Sequence, residues 1–258
     1  MKFIVQLFEG KIVHDFTFEL IKAQEYYHWL GNGDFDIIYD DGNFDFENCP
    51  YLYELIPVGS VDYVSDFIKK YYPQCKEALV PLNVPECLFG FAGRWINNVY
   101  GPDDMCIFDH QRLLHGTCKK LYRKSLTKIK DESNGLYDYT ISQNPFFGYQ
   151  VSEEIDIESE WRVFVFHNEI LYIANYSGDC TMFPDIDEIK KMVNIYKGEA
   201  PVAYTLDVGI RNDVTIIIEC HRFFSCGLYG FHNLAKLPVM LSQTWYEMKN
   251  IDKLKGLN

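Results

Sequence analysis

The sequence predicts a small α/β unit over residues 1–100, followed by an α+β part over residues 101–258. Strand and helix patterns alternate over roughly the first 80 residues, which favours a sheet with some parallel pairing. Further along, pairs of strands joined by short turns surround one amphipathic helical pattern. The boundary near residue 100 rests on this change of pattern.

The elements of the first unit follow from their local patterns. KFIVQLF predicts a strand, and FELIKAQEYYHWLG predicts a helix that ends at Gly31. FDIIYDDGN predicts a second strand that runs into a turn. In LYELIPVGSVDYVSDFIKKYYP we expect a third strand and then a helix, with Ser60 as its N-cap and Pro73 just beyond its end.

The second part is predicted to consist mainly of hairpins. TCKKLYRKSL and YQVSEEIDI predict strands, and EWRVFVFHNEILYIANYSG predicts a hairpin that turns at His167-Asn168. FPDIDEIKKMVNIYKG predicts a helix that begins near Asp185 or Asp187. VAYTLDVGIRNDVTIIIECHRFF predicts a last hairpin that turns at residues 211–213.

The composition excludes several classes of protein. Hydrophobic residues make up 48% of the chain and aromatic residues 16%, as in globular proteins. A formal net charge of −13 argues against a nucleic-acid partner, and no apolar run is long enough to predict a membrane span. The eight cysteines form no C-x-x-C pair and follow no secretion signal, so we expect reduced thiols in a cytoplasmic protein without zinc.

Two acids in the last hairpin stand where a charge is costly. Asp207 closes the strand AYTLD, and Glu219 follows four β-branched residues in TIIIECH. Across a tight turn the two are one residue out of register, so a longer turn or a β-bulge must bring them to one face. Two carboxylates placed together suit Mg²⁺. The alternative is that both acids pair with the nearby Arg211 or Arg222.

Charged residues upstream complete a set that suits a nucleoside triphosphate. Cations at Arg123, Lys124 and Lys128 precede the acidic segment VSEEIDIESE, which leads to Arg162. In this scheme the cations hold phosphates, and the acidic segment holds the adenine edge and the ribose hydroxyls. There is no P-loop, no G-x-S-x-G and no H-E-x-x-H, and GNGDFD has Asp36 where a dinucleotide loop needs its third glycine.

These features resemble the ATP-grasp superfamily, in particular its R2K clade, which is named for two arginines and a lysine. The matching stretches, between residues 105 and 235, are LYRKSLTK, VSEEIDIESEWRVFV, AYTLDVG and IIIECHRFFSCGLYG. IPVGSVDYV resembles a segment of the N-terminal part of these proteins. The resemblance implies a pre-ATP-grasp unit over 1–100 and an ATP-grasp domain over 101–258. Two α+β subdomains of that domain would clasp ATP about a hinge near 151–158.

The resemblance also implies roles for individual residues. The residues implied to act in catalysis are Arg162, Lys128 and Arg123. Those implied to bind ATP are Arg123, Lys128, Glu153, Glu154, Ile155, Asp156, Glu160 and Arg162. Those implied to bind metal, Mg²⁺ or alternatively Mn²⁺, are Asp207, Glu219 and His221. The sequence departs from the family at His221, where most members have Asn, and at Lys124, where the R2K clade usually has Pro.

The implied activity is ATP-dependent ligation of a carboxylate to an amine through an acyl phosphate. The amine acceptor would be an amino acid, a peptide or a protein, and no membrane partner is expected. Two alternatives remain at this stage. One is a catalytically silent ATP-binding module that serves sensing or partner recognition, and the other is a nucleotidyl-transfer enzyme that draws on the basic stretch CKKLYRKSLTKIK.

Overall fold

The computed structural model describes residues 1–31, 35–99, 121–125, 149–153 and 155–250. Within these ranges ten strands form three sheets, and four α-helices pack against them. The predicted mixture of α/β and α+β parts is confirmed. None of the helices in this part of the chain is both long and apolar enough to span a membrane.

The first sheet is parallel and belongs to the N-terminal unit. Its strands, in the spatial order β2-β1-β3, are β1 (Lys2–Gln6), β2 (Asp36–Asp40) and β3 (Leu55–Val58). The two helices that follow β1 and β3 are α1 (Asp15–Leu30) and α2 (Val61–Tyr71). The central strand contributes Phe3, Ile4 and Val5, all fully buried, as expected for a parallel strand covered on both faces.

The helix ends of this unit confirm the signals found in the sequence. The α1 helix ends at Gly31, whose φ of 66° lies in the left-handed region that glycine adopts without strain. Ser60 is the N-cap of α2, and its hydroxyl oxygen accepts a hydrogen bond of 3.2 Å from the Tyr63 amide.

The second sheet is antiparallel and small. Its strands, in the order β4-β6-β5, are β4 (Ile96–Val99), β5 (Leu121–Ser125) and β6 (Tyr149–Glu153). The strands predicted at LYRKS and YQVSE are confirmed. Because β4 pairs with β6, a strand that precedes the predicted boundary near residue 100 joins a sheet of the second part.

The third sheet is antiparallel, in the order β10-β9-β7-β8. Its strands are β7 (Ser159–Phe166), β8 (Glu169–Gly178), β9 (Ala203–Arg211) and β10 (Val214–Arg222). Both predicted hairpins are confirmed, and each turns through two residues with positive φ, His167-Asn168 and Asn212-Asp213. β9 lies between β7 and β10, so the two hairpins form one continuous sheet.

A β-bulge shifts the register within the last hairpin. Val214 pairs with Arg211 beside the turn, and the same register continues to the pair Ile217 and Val208. Ile218 is then left over, and Glu219 pairs with Asp207. The sequence required a longer turn or a bulge to bring these two acids together, and the structure has the bulge.

The third sheet separates two hydrophobic cores. One face packs against α3 (Ile186–Tyr196), which begins at Asp185, and includes Trp161, Val163 and Leu206. The opposite face, with Phe164 and Ala203, belongs to the core of the N-terminal unit, to which α4 (Leu237–Lys249) also contributes. The second core therefore joins the third sheet to the first unit.

Candidate active site

A row of charged side chains crosses three neighbouring strands of the third sheet. Arg162 of β7 pairs in register with Asp207 of β9, and Asp207 pairs with Glu219 of β10. Arg162 is 7% exposed and Asp207 only 1%, whereas Glu219 is partly exposed. The bulge thus places one cation and two carboxylates side by side.

Arg162 and Asp207 form a buried bidentate ion pair. The Arg162 Nε donates to Oδ1 of Asp207 at 2.8 Å, and Nη2 donates to Oδ2 at 2.7 Å. Burial, the largest influence, lowers the pKa of Arg162, but the hydrogen bonds and the charge of Asp207 raise it by more, so the net shift is upward. A guanidinium matches the two oxygens of a carboxylate in this way, which a lysine cannot do.

Two tyrosines cover the other side of the Arg162 guanidinium. Its Cζ lies 5.0 Å from the ring centre of Tyr229 and 5.7 Å from that of Tyr176, and these two rings stack at 5.1 Å. The Tyr176 hydroxyl donates to Oε2 of Glu160 at 2.8 Å. Burial, and then the charge of Asp207 and the bond to Glu160, raise the pKa of Tyr176. Glu160 is therefore linked to Arg162 through Tyr176, which is hydrogen-bonded to Glu160 and packs against the guanidinium.

His221 lies next to Asp207 and Glu219, and all three carry side chains of the kinds that bind metal ions. Its Nε2 lies 3.0 Å from Oε1 of Glu219 and 3.9 Å from Oδ2 of Asp207. One ligand atom from each of the three residues lies within 4.8 Å of the others, which is close enough to share one cation. Two carboxylates suit Mg²⁺, and the addition of an imidazole also suits Mn²⁺.

The loop after β10 connects this group to the N-terminal unit. The Gly227 carbonyl accepts a bond of 3.1 Å from Nη1 of Arg162. The next amide, that of Leu228, donates to Oδ2 of Asp15 at 2.7 Å, at the start of α1. Ser225 donates its hydroxyl to the Gly59 carbonyl at 2.7 Å, next to the start of α2. The loop position is therefore determined from both sides.

A cavity of about 180 Å³ opens beside His221. Its polar lining includes Arg162, His221 and Ser225, and its apolar lining includes Val61 and Leu82 from the N-terminal unit. A cavity of this size corresponds to a small organic molecule, since a cavity of about 150 Å³ holds benzene. The cavity therefore has room for a small molecule next to His221.

Residues 122–238, which include every strand of the third sheet, match the family described as ATP-grasp domain, R2K clade family 2. This stretch, rather than the whole chain, is similar to the R2K-clade ATP-grasp domain. No curated protein matched the sequence of the chain at a significant level.

Solved structures resemble this chain over nearly its whole length. D-alanine–D-alanine ligase from Bacillus anthracis is 12% identical with a TM-score of 0.51, over 98% of this chain and 99% of that one. An ATP-grasp RimK domain protein from Sphaerobacter thermophilus is 9% identical with a TM-score of 0.51, over 96% and 99%. D-cycloserine synthetase is 8% identical with a TM-score of 0.54, over 96% and 100%. At these identities the likeness concerns the fold.

Several residues predicted for ATP binding lie on other elements or outside the described residues. Arg123 lies on β5, in register with Val151 of β6. Lys128 and Glu154 lie outside the described residues. Their roles stay predictions.

The predicted hinge near residues 151–158 contains Glu153, Ile155 and Asp156. The Glu153 amide donates to the Trp95 carbonyl at 3.1 Å, and its carboxylate accepts from the Trp95 amide at 3.1 Å. Ile155 is half-buried and Asp156 exposed, in the connection that leads to β7. Glu153 is therefore hydrogen-bonded to Trp95, the residue before β4. The role of the hinge residues in binding adenine stays a prediction.

Sequence reasoning missed four residues whose contacts support the candidate site. These are Asp15, Arg94, Tyr176 and Tyr229. Two of them, Tyr176 and Tyr229, cover Arg162, and Asp15 holds the loop that follows β10. Only Tyr229 lay in a stretch that the sequence singled out. The contacts of the others join residues far apart in the chain, which a local pattern does not encode.

Proposed function

We propose that the protein is an ATP-dependent carboxylate–amine ligase that works through an acyl phosphate. The observation that carries this proposal is the row Arg162, Asp207 and Glu219, with His221 beside it, in a stretch that matches the R2K-clade ATP-grasp family. The names of the neighbours with a similar fold, a ligase and a synthetase among them, support the same reaction class.

In the proposed reaction, a carboxylate oxygen of the first substrate attacks the γ-phosphorus of ATP. The bond from that phosphorus to its bridging oxygen breaks, and ADP leaves. The amine nitrogen of the second substrate then attacks the acyl carbon, the bond to the phosphorylated oxygen breaks, and inorganic phosphate leaves. The nitrogen releases one proton to solvent. Such a reaction needs positioning and charge neutralisation more than covalent help from the protein.

The residues of the chain supply both requirements. Asp207, Glu219 and His221 would hold Mg²⁺ or Mn²⁺, which supplies positive charge next to the phosphate oxygens. Arg162 adds a buried cation beside them, and we assign Arg123 and Lys128 to the phosphates and the segment 153–160 to the nucleoside on the basis of the family resemblance. The cavity beside His221 suits a small carboxylate or amine, or one residue of a longer chain.

One observation favours a second function, a silent ATP-binding module. Arg162 occupies both oxygens of Asp207, and His221 lies 3.0 Å from Glu219, so the charges in the row are already partly matched without a cation. If these contacts persist with nucleotide bound, ATP binds without being positioned for transfer. The two functions differ in one measurable quantity, which is ADP release that depends on an acceptor.

The test is ADP release with Mg²⁺ and a panel of amino acids, small amines and peptides. We expect a carboxylate–amine pair that releases ADP, with ¹⁸O from a labelled carboxylate recovered in phosphate, and loss of release in Glu219→Gln. Glu169→Gln, an exposed acid at the start of β8, serves as the matched control that keeps wild-type activity. ATP binding without ADP release for any pair supports the silent module instead. A covalent lysine–AMP adduct contradicts both functions and supports nucleotidyl transfer.

A further inference from the structure

Two successive carbonyl groups at the bulge of β10 share one guanidinium. Nη1 of Arg94 donates to the Ile217 carbonyl at 2.8 Å, and Nη2 donates to the Ile218 carbonyl at 3.1 Å. In a regular strand successive carbonyls point in opposite directions, so one side chain does not reach both from the same side. The bulge turns them toward the same partner.

β10 is an edge strand of the third sheet, and this gives the contact its importance. Among the described residues no strand of the sheet pairs with its outer edge, where an isolated bridge joins Cys220 to Asn83. Carbonyl groups without a hydrogen-bond partner at a sheet edge cost free energy, and so does the extra residue of a bulge. The pairing register of a strand can shift where neither cost is offset. Arg94 compensates both at Ile217 and Ile218.

The register decides whether the candidate active site exists. If the pairing beside the turn continued without the bulge, Glu219 would lie opposite Leu206 and not opposite Asp207. Leu206 belongs to the core on the other face of the sheet. A shift of one residue would therefore move the Glu219 carboxylate away from Asp207 and into apolar surroundings.

The segment that carries Arg94 is fitted closely to β10. A Cβ on Gly93, whose φ is +59°, would lie 2.6 Å from Cγ2 of Ile216, so the backbone approaches the strand closely at this point. The Gly93 carbonyl accepts a bond of 2.9 Å from Arg211. On the other side of Arg94, Trp95 pairs with Glu153 of β6.

We propose that Arg94 is a positioning residue for the cation-binding group of Asp207, Glu219 and His221. Its planar fork holds the bulge in place, and the bulge holds the Glu219 carboxylate beside Asp207. The inference rests on the proposed function for the use of the cation, but the bulge itself can be tested without it. Lysine has a single ammonium and replaces a fork poorly.

The experiment measures Mn²⁺ binding by electron paramagnetic resonance, with and without a non-hydrolysable ATP analogue, in Arg94→Met and Arg94→Lys. Partners that orient metal ligands are typically worth about 10–100-fold in metal affinity, and we expect a loss in this range for Arg94→Met and a smaller one for Arg94→Lys. Arg211→Met is the matched control, because Arg211 donates to the carbonyl of Gly93, the residue before Arg94, without contacting the bulge carbonyls of Ile217 and Ile218. It should keep wild-type Mn²⁺ affinity. Unchanged Mn²⁺ affinity in a folded Arg94→Met overturns the inference.

A crystal structure of the variant provides the readout that does not depend on metal. Glu219 opposite Leu206, or a disordered β10 edge, supports the positioning role, and Glu219 still opposite Asp207 overturns it. If Arg94→Met does not fold, Arg94→Lys is used for both measurements. If the wild type fails to bind Mn²⁺ with the analogue, the proposed function fails, whereas the structure of the variant still decides the role of Arg94.

Discussion

Replacement of Arg162 by methionine is expected to destabilise the fold strongly. The change removes a cation that makes two bonds of 2.7 and 2.8 Å to Asp207, a residue only 1% exposed. Breaking a buried pair by removing one partner costs about 3–5 kcal/mol. Coulomb's law agrees, since unit charges about 4 Å apart attract by about 4 kcal/mol at an effective dielectric constant of 20. The free energy of unfolding of a typical domain is about 5–15 kcal/mol, so Arg162→Met should lose much of it.

The assay is urea unfolding followed by tryptophan fluorescence, applied to a double-mutant cycle. Arg162→Met, Asp207→Leu and the double variant are compared with the wild type. Because the double variant leaves no unpaired buried charge, it should lose much less than the sum of the two single losses. Additivity within about 0.5 kcal/mol would refute the reasoning, since it would mean that the two side chains do not interact.

A divalent cation extends the same test to function. In Arg162→Met the Asp207 carboxylate lacks its partner, and Mg²⁺ can replace the lost positive charge. A ligand that binds only the folded state at 100 times its Kd stabilises it by about 2.7 kcal/mol. We therefore expect Mg²⁺ to restore more stability to Arg162→Met than it adds to the wild type. Equal effects of Mg²⁺ on both proteins would show that Asp207 does not contact the cation.

Three further predictions concern other parts of the chain. Asp185→Ala removes the N-cap of α3 and should cost about 1 kcal/mol in urea unfolding; an unchanged midpoint would contradict the capping role. Gly178→Ala should prevent folding or greatly lower stability in thermal unfolding, because φ is +74° and the new Cβ would lie 2.2 Å from the Glu158 carbonyl oxygen. Burial, and then a bond to Glu199, raise the pKa of Cys87 to about 12. Its alkylation rate should therefore rise about tenfold per pH unit from about pH 8 to 11, and a plateau below pH 10 in peptide mass spectrometry would contradict this.

The sequence was sufficient where the physics is local. Helix ends were readable at Gly31 and Ser60 because a left-handed C-cap and an N-cap hydroxyl use residues next to the helix. The bulge could be predicted because strand side chains alternate between the two faces of a sheet. Across a tight turn Asp207 and Glu219 are one residue out of register, so placing both on one face requires an extra residue. The structure has that extra residue at Ile218.

The sequence was insufficient where the contact depends on the order of strands. Both acids were expected either to bind metal or to pair with Arg211 or Arg222. The arginine that pairs with Asp207 is neither of these but Arg162, which is 45 residues away and becomes a neighbour only because β9 lies between β7 and β10. Arg222 contacts Glu247 of α4 at 3.5 Å. No periodic pattern within one segment determines which strand inserts beside which.

The same pair has a consequence for how the proposed ligase would bind its cation. A carboxylate offers about four acceptor positions, and Arg162 uses two of those on Asp207. A cation bound at the remaining positions would lie close to a guanidinium, and the like charges repel. Triphosphate oxygens would offset this repulsion, since their negative charge attracts both the metal ion and the guanidinium. Metal and nucleotide should therefore strengthen each other's binding by one common factor, as thermodynamic linkage requires. Removing Arg162 removes the repulsion, so that Mn²⁺ alone should bind Arg162→Met more tightly than the wild type while the coupling to nucleotide declines.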